Sequence, residues 1–311
     1  MKVVQIENLV KRYGSLVALN HLNLEIKEGE IFGLLGPNGS GKTTVINCIL
    51  ALLKYDKGSI SLFGKPMSPS AYDIKKDIGV VLQNVAVFNE LTVYENIDYF
   101  CGLYVSDKAK RKELVEEAIS FVGLDTYRKF LPKKLSGGLL RRLNIACGIA
   151  HKPKLIILDE PTVAVDPQSR NNILEGILAL NKEGATIIYT SHYMDEVEKI
   201  CSRIMIMDQG QAIATGTTEE LKSMISSGER ITIDLITIEE ETLSEIRKLA
   251  GVRSISYEND RLSIQSTGEQ PTLYLILEYL KKEQIAYGNA YAQMPTLNDV
   301  FLEITGKELR D

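Results

Sequence analysis

Short apolar runs alternate with amphipathic stretches along the first 220 residues of the chain. Residues 3–10 and 17–27 read as strands, and the run ALNHLNLEI in the second alternates apolar and polar positions, the period of a half-buried strand. The apolar run IFGLLG at 31–36 predicts a strand that enters a Gly-rich turn, followed by a helix from Lys42 to about Lys54. Leu114, Ala118, Phe121 and Val122 recur at helical spacing within 107–123. The runs LIILD at 155–159 and ATIIYTS at 185–191 lack that alternation. They read as central strands of a parallel sheet, covered on both faces by helices. The pattern is α/β.

Near residue 216 the character changes. ERITIDLIT reads as a strand, IEEETLSEIRKLA as a helix, and VRSISYE with RLSIQS as a hairpin across Asn259-Asp260. A helix at 271–284 and a strand at 285–292 follow. The order β-α-β-β-α-β predicts a small ferredoxin-like α+β domain.

Composition narrows the function. The chain has 311 residues, 44% apolar and 25% charged, which suits one large and one small globular domain. No run approaches the roughly 18 apolar residues that span a bilayer, so the chain is not expected to be a channel. The N-terminus lacks the apolar core of a secretory signal, and a cytosolic location is expected. The net charge of −5 falls on residues 221–311, with 15 acidic and 10 basic side chains. Neither part has the basic excess that drives nucleic-acid binding, so no nucleic-acid partner is expected. Cys48, Cys101, Cys147 and Cys201 form no metal-binding or disulfide pattern and read as buried thiols.

Two motifs carry chemistry. Gly36, Pro37, Asn38, Gly39, Ser40, Gly41, Lys42 and Thr43 make a full G-x4-G-K-[ST] match between an apolar strand and a helix. Glycines let successive N–H groups point at phosphate oxygens, and the helix N-terminus adds its positive end. Lys42 is expected on the β- and γ-phosphates and the Thr43 hydroxyl on Mg²⁺, with Thr44 completing the nucleotide-binding stretch. Downstream, four apolar residues end in Asp159 and Glu160. Asp159 is placed to hold Mg²⁺, and Glu160 to take a proton from an attacking water.

Between these motifs, Leu135-Ser136-Gly137-Gly138 resembles the signature of ABC-transporter ATPases, and the order of motifs through 1–220 is similar to that family throughout. The resemblance implies a P-loop cassette with a RecA-like core, bound to ATP and Mg²⁺. Residues 1–216 would form it, with a helical subdomain at about 84–150, and 217–311 an accessory or regulatory domain. It further implies that Tyr13 stacks on adenine, that Gln83 senses Mg²⁺ and the attacking water, that Asp166 links two nucleotide sites, and that His192 is the γ-phosphate switch. His21 and His151 match nothing and are left structural. The signature is implied to cap ATP held by another subunit, so that two copies, or one copy and a related ATPase, close head-to-tail. Segment 84–104 is implied to grip a separately encoded membrane permease, with the cassette at the cytoplasmic face of the membrane. Leu139-Leu140 and Ala164-Val165 depart from the family pattern, while Ser136, Glu160 and His192 are intact, so hydrolysis is expected.

The end of the chain, Pro295–Glu303 and then Thr305–Leu309, resembles ATPases of the daunorubicin-resistance type, which implies export. An importer ATPase, or an ABC ATPase unconnected with transport, are the alternatives.

Overall fold

The computed structural model describes residues 1–225, 228–235, 237–268 and 270–306, so Lys307–Leu309 of the C-terminal resemblance lie outside the described residues. The chain divides into two compact units, Met1–Thr218 and one that begins at Glu219.

In the first unit, β1 (Lys2–Tyr13) and β2 (Leu16–Lys27) pair antiparallel. β3 (Ile31–Leu35) leads to α1 (Lys42–Ile49). Next come β4 (Lys57–Leu62), β5 (Lys65–Pro66), α2 (Tyr72–Lys75) and β6 (Ile78–Val81). Three helices follow: α3 (Val93–Gly102), α4 (Lys108–Phe121) and α5 (Gly137–Ile149). β7 (Leu155–Asp159), α6 (Pro167–Lys182), β8 (Thr186–Ser191), α7 (Met194–Ile200), β9 (Arg203–Asp208) and β10 (Gln211–Gly216) complete it.

Two sheets share one core. The antiparallel sheet runs β2-β1-β4-β5, and the second runs β10-β9-β3-β8-β7-β6, parallel except at β10. Ile6, Leu22, Leu24 and Ile26 pack with Phe32, Leu34, Ile46, Ile49 and Met207 between them. β7 and β8 are buried at every position, which explains their unbroken apolar pattern. The helices α3–α5 enclose a separate core of Val93, Ile97, Val115, Ile119 and Leu143.

α1 stops at Ile49 rather than near Lys54. Ala51 turns left-handed at φ 52°, Ala51 N donates to Cys48 O, and Leu52 N donates to Asn47 O. That is a C-terminal cap usually signalled by glycine, and alanine leaves no mark of it in the sequence.

The second unit starts with α8 (Thr218–Ser223) at the boundary, then β11 (Arg230–Asp234), α9 (Glu240–Arg247), β12 (Val252–Glu258), β13 (Arg261–Ser266), α10 (Thr272–Lys282), β14 (Ala290–Gln293) and α11 (Leu297–Thr305). Its sheet order, β12-β13-β11-β14, is all antiparallel and is the ferredoxin-like arrangement that the pattern predicts. Asn259 and Asp260 both have positive φ, 51° and 59°, as a two-residue hairpin turn requires. β14 begins five residues later than expected. Gln284 turns left-handed at φ 57°, and Ile285 N donates back to Leu280 O, so 285 closes α10 instead of opening a strand.

All four cysteines are buried and free. Burial raises the Cys48 and Cys101 thiols to about 11 and pushes Cys147 and Cys201 well above the usual range. Native protein at pH 8 should therefore react slowly with a disulfide-exchange reagent, and all four thiols should react quickly in denaturant. Fast labelling of Cys147 or Cys201 without denaturant would contradict this packing.

Candidate nucleotide site

Four parallel strands end side by side. Leu35 pairs with Ser191, Asp159 with Thr190, and Val81 with Leu158. The residues that follow these positions therefore emerge along one edge, where ligands bind in open α/β sheets.

The loop after β3 curls under steric constraint. A side chain on Gly36 would collide with the Met207 carbonyl and the Ser40 hydroxyl. Gly41 sits at φ 109° immediately before α1. Ser40 N donates to Pro37 O at 3.1 Å, while the buried Ser40 Oγ has no partner. Lys42, 5% exposed, reaches back over the loop and donates to Gly36 O at 2.7 Å and Pro37 O at 3.2 Å. Burial lowers its pKa, opposed by the charges of Glu160 and Asp159.

Thr190 fixes both acids. Its Oγ1 donates to Asp159 Oδ1 at 2.6 Å and accepts from Glu160 N at 2.9 Å. Thr43 Oγ1 donates to Asp159 Oδ2 at 3.3 Å, which joins the phosphate loop to the acid strand. Glu160 is held at φ 48°, in the left-handed region, and three side chains face its carboxylate. Gln83 Nε2 donates to Oε2 at 3.2 Å, Lys42 Nζ lies 3.8 Å from Oε1, and His192 Nδ1 lies 3.5 Å from Oε1.

A cleft of about 700 Å³ opens over this cluster, lined by Tyr13, Asn38, Gly39, Lys42–Thr44, Gln83 and Glu160. Tyr13 is half-exposed at its mouth. The opposite wall is Gln209, Gly210 and Gln211, which sequence reasoning missed. Gln209 and Gly210 form the β9–β10 turn and Gln211 opens β10; Gly210 O accepts from Asn20 N at 2.9 Å and a side chain at Gly210 would strike Ala18 O. A turn glycine between two strands was the one available signal.

The signature and Asp166 are not brought into this cleft. Ser136 is exposed and caps α5, accepting from Leu139 N at 3.4 Å. Gly138 lies against α6 so closely that a side chain would meet Ser169 Oγ and approach Asp166 Oδ2. Asp166 caps α6, accepting from Ser169 N at 2.9 Å, and these hydrogen bonds hold its carboxyl below the usual range. Signature and Asp166 are thus neighbours of each other. Leu139 and Leu140, the departures, pack against the α3–α5 core, and Val165 is buried while Ala164 takes φ 58°. His151, left structural, stacks on Tyr104 at 4.0 Å and binds Ile78 O through Nε2.

The donors at the cleft are hard oxygens and amides: the Thr43 hydroxyl, the Asp159 carboxylate and the Gln83 amide. That set suits Mg²⁺, and the buried Ser40 hydroxyl of the same loop has no partner of its own.

Residues 19–163 match the family described as ABC transporter, and residues 216–305 match the C-terminal domain of DrrA1-3-like ATP-binding proteins. The chain is 39% identical to the linearmycin resistance ATP-binding protein LnrL of Bacillus subtilis, covering 99% of this chain and 100% of the relative. It is 32% identical to the daunorubicin resistance ATP-binding protein DrrA3 of Streptomyces coeruleorubidus, over 99% and 97%. It is 33% identical to a Nod factor export ATP-binding protein of Cupriavidus metallidurans, over 99% of each. Among solved structures, the cassette MJ0796, a dimer bound to ADP and Pi, superposes with a TM-score of 0.63 at 27% identity, over 69% of this chain and 98% of that one. Fold, motif order and full-length similarity agree: the chain belongs to the ATP-binding subunits of ABC transporters, ATPases related to resistance and export proteins.

Proposed function

We propose that this chain hydrolyses Mg-ATP as one half of a head-to-tail dimer and drives export through a separately encoded permease. The observation that carries it is the separation of two groups of site residues. Lys42, Glu160 and Gln83 line one cleft, with Asp159 joined to it through Thr43 and His192 3.5 Å from Glu160, while Ser136–Gly138 stand away from it beside Asp166. A second subunit, identical or related, supplies the missing signature to each cleft.

In this reading residues 1–216 are the ATPase domain, with a helical subdomain at about 84–150, and 217–311 an accessory domain. Tyr13 stacks on adenine, and the N–H groups of Gly39–Thr44 hold the phosphates with Lys42. Thr43, Gln83 and Asp159 hold Mg²⁺, which when bound draws charge from the phosphate oxygens. Glu160 takes the proton of the attacking water, and His192 orients the γ-phosphate. In segment 84–104, Phe88, Tyr99 and Leu103 are exposed large apolar residues, and Phe88 packs edge-on to Tyr99 at 4.9 Å. They are the surface for the permease, at the cytoplasmic membrane face. Among the described residues no helix is long and apolar enough to cross a membrane. The relatives named for resistance and export support the direction of transport.

Lys42→Ala should abolish binding of a fluorescent ATP analogue. Glu160→Gln should bind ATP, lose roughly 10²-fold or more in turnover, and elute as a dimer in ATP on size-exclusion chromatography. Turnover at the wild-type rate would remove Glu160 from the role of base. Thr190→Val leaves an Asp159 oxygen without its partner and the Glu160 N–H with only its 3.2 Å bond to Thr190 O. It should cost about 1–3 kcal/mol in thermal or urea unfolding and lower kcat more than it changes ATP affinity.

A further inference from the structure

Glu196, on α7, is 3% exposed and is the one buried acid among the described residues that does not belong to the cleft cluster. Its Oε2 accepts from Tyr189 Oη at 2.6 Å, Thr162 Oγ1 at 2.8 Å and Ser191 Oγ at 3.1 Å. Arg170 Nε lies 3.3 Å from Oε1, and the same guanidinium lies over the Tyr193 ring at 4.6 Å. Ser191 Oγ also accepts from Tyr193 N at 2.9 Å, which closes the turn carrying His192. The rings of His192 and Tyr193 are 4.2 Å apart.

These partners come from separate segments that the site depends on. Tyr189 and Ser191 end β8, directly before His192. Thr162 follows Glu160 by two residues, and Arg170 lies in the first turn of α6, whose cap is Asp166. Packing alone does not call for a carboxylate here, since apolar residues of similar volume replace buried ion pairs without loss of stability. One carboxylate oxygen shared by three hydroxyls, with a cation at ion-pair distance from the other oxygen, fixes angles and distances that apolar contacts leave free.

We propose that Glu196 is a positioning residue that ties the His192 turn and the Thr162–Asp166 loop to one carboxylate. The group that faces the γ-phosphate and the loop adjoining the signature then move as one body, which couples the two sites of the dimer. The inference rests on the nucleotide-site reading above. Arg170 faces Glu196 at ion-pair distance, and Tyr189 remains protonated as a donor because burial, then the adjacent Glu196 charge, raises its pKa far above the usual range.

The test is steady-state ATP turnover of Glu196→Gln, with ATP-analogue affinity and thermal unfolding measured on the same preparation. The amide keeps the volume and one acceptor while losing the charge. The expected result is a fall in kcat of about tenfold or more with ATP affinity within about twofold, and a Hill coefficient that drops toward 1. Wild-type kcat and Hill coefficient would overturn the proposal. So would a loss of kcat and affinity in step with the folded fraction, the mark of a purely structural role. If Glu196→Gln does not fold, Tyr189→Phe, which removes one donor and keeps the ring, carries the same expectations. Glu160→Gln run in parallel separates the two readings. If it turns over normally, the nucleotide-site reading fails and takes this proposal with it. If it is inactive while Glu196→Gln is normal, only the positioning role fails.

Discussion

The site depends on one cross-strand pair, Asp159 beside Thr190. Parallel register brings a hydroxyl next to the last residue of β7, and that hydroxyl serves both acids, as donor to Asp159 and acceptor from the Glu160 backbone. Asp159 and Glu160 are 2% and 7% exposed, so both carboxylates sit where an unpaired charge is expensive. Two buried cations, Lys42 and Arg141, act electrostatically on both of them. Lys42 lies 3.8 Å from Glu160 Oε1, so the phosphate loop and the acid strand meet through opposite charges as well as through Thr43. Glu160 held at φ 48° fits this picture, since backbone strain persists where neighbouring contacts over-determine a residue.

Much of this was legible before any coordinates, for identifiable reasons. Unbroken apolar runs mark buried parallel strands, so β3, β7 and β8 were placed almost to the residue. Glycines at 36, 39 and 41 announce a loop that no other residue fits, as the collision at Gly36 and φ of 109° at Gly41 bear out. Errors fell where a residue without a signature takes a left-handed backbone: Ala51 ends α1, and Gln284 delays β14. The roles of Gln83, His192 and Asp166 came from resemblance, because a glutamine or histidine after a strand has many structural uses. Gln209 and Gln211 were invisible, since their place on the cleft wall comes from a β9–β10 turn meeting β2 across the sheet order. Glu196 was invisible for a related reason. In an amphipathic helix an acid reads as solvent-facing, and only the tertiary convergence of Thr162, Arg170, Tyr189 and Ser191 puts it inside.

The departures at Leu139-Leu140 have a local explanation. Both face the α3–α5 core, where they join Leu143, Ala146 and Cys147 on one side of α5. Added apolar area there holds α5 to the helical layer through the hydrophobic effect, while Ser136 and Gly137 remain exposed at its start. The two leucine side chains thus pack toward the helical core, and Leu139 N donates to the Ser136 hydroxyl at 3.4 Å.

That mounting bears on how the proposed dimer would bind phosphate. α5 runs 13 residues from an exposed N-terminus, and its first N–H groups and positive dipole end are directed at whatever approaches Ser136. A neighbouring carboxylate, Asp166, would oppose an incoming anion if its charge faced outward. It is exposed, and it accepts from Ser169 N at 2.9 Å, so its charge is only partly satisfied by the start of α6. Two helix N-termini thus lie side by side, one capped by an acid and the other by a neutral serine. The neutral cap is the one that can receive a phosphate, and the acid-capped helix beside it holds the Arg170 that faces Glu196. An anion arriving at α5 would therefore act on the packing of α6 against α5, and through Arg170 on the turn that carries His192.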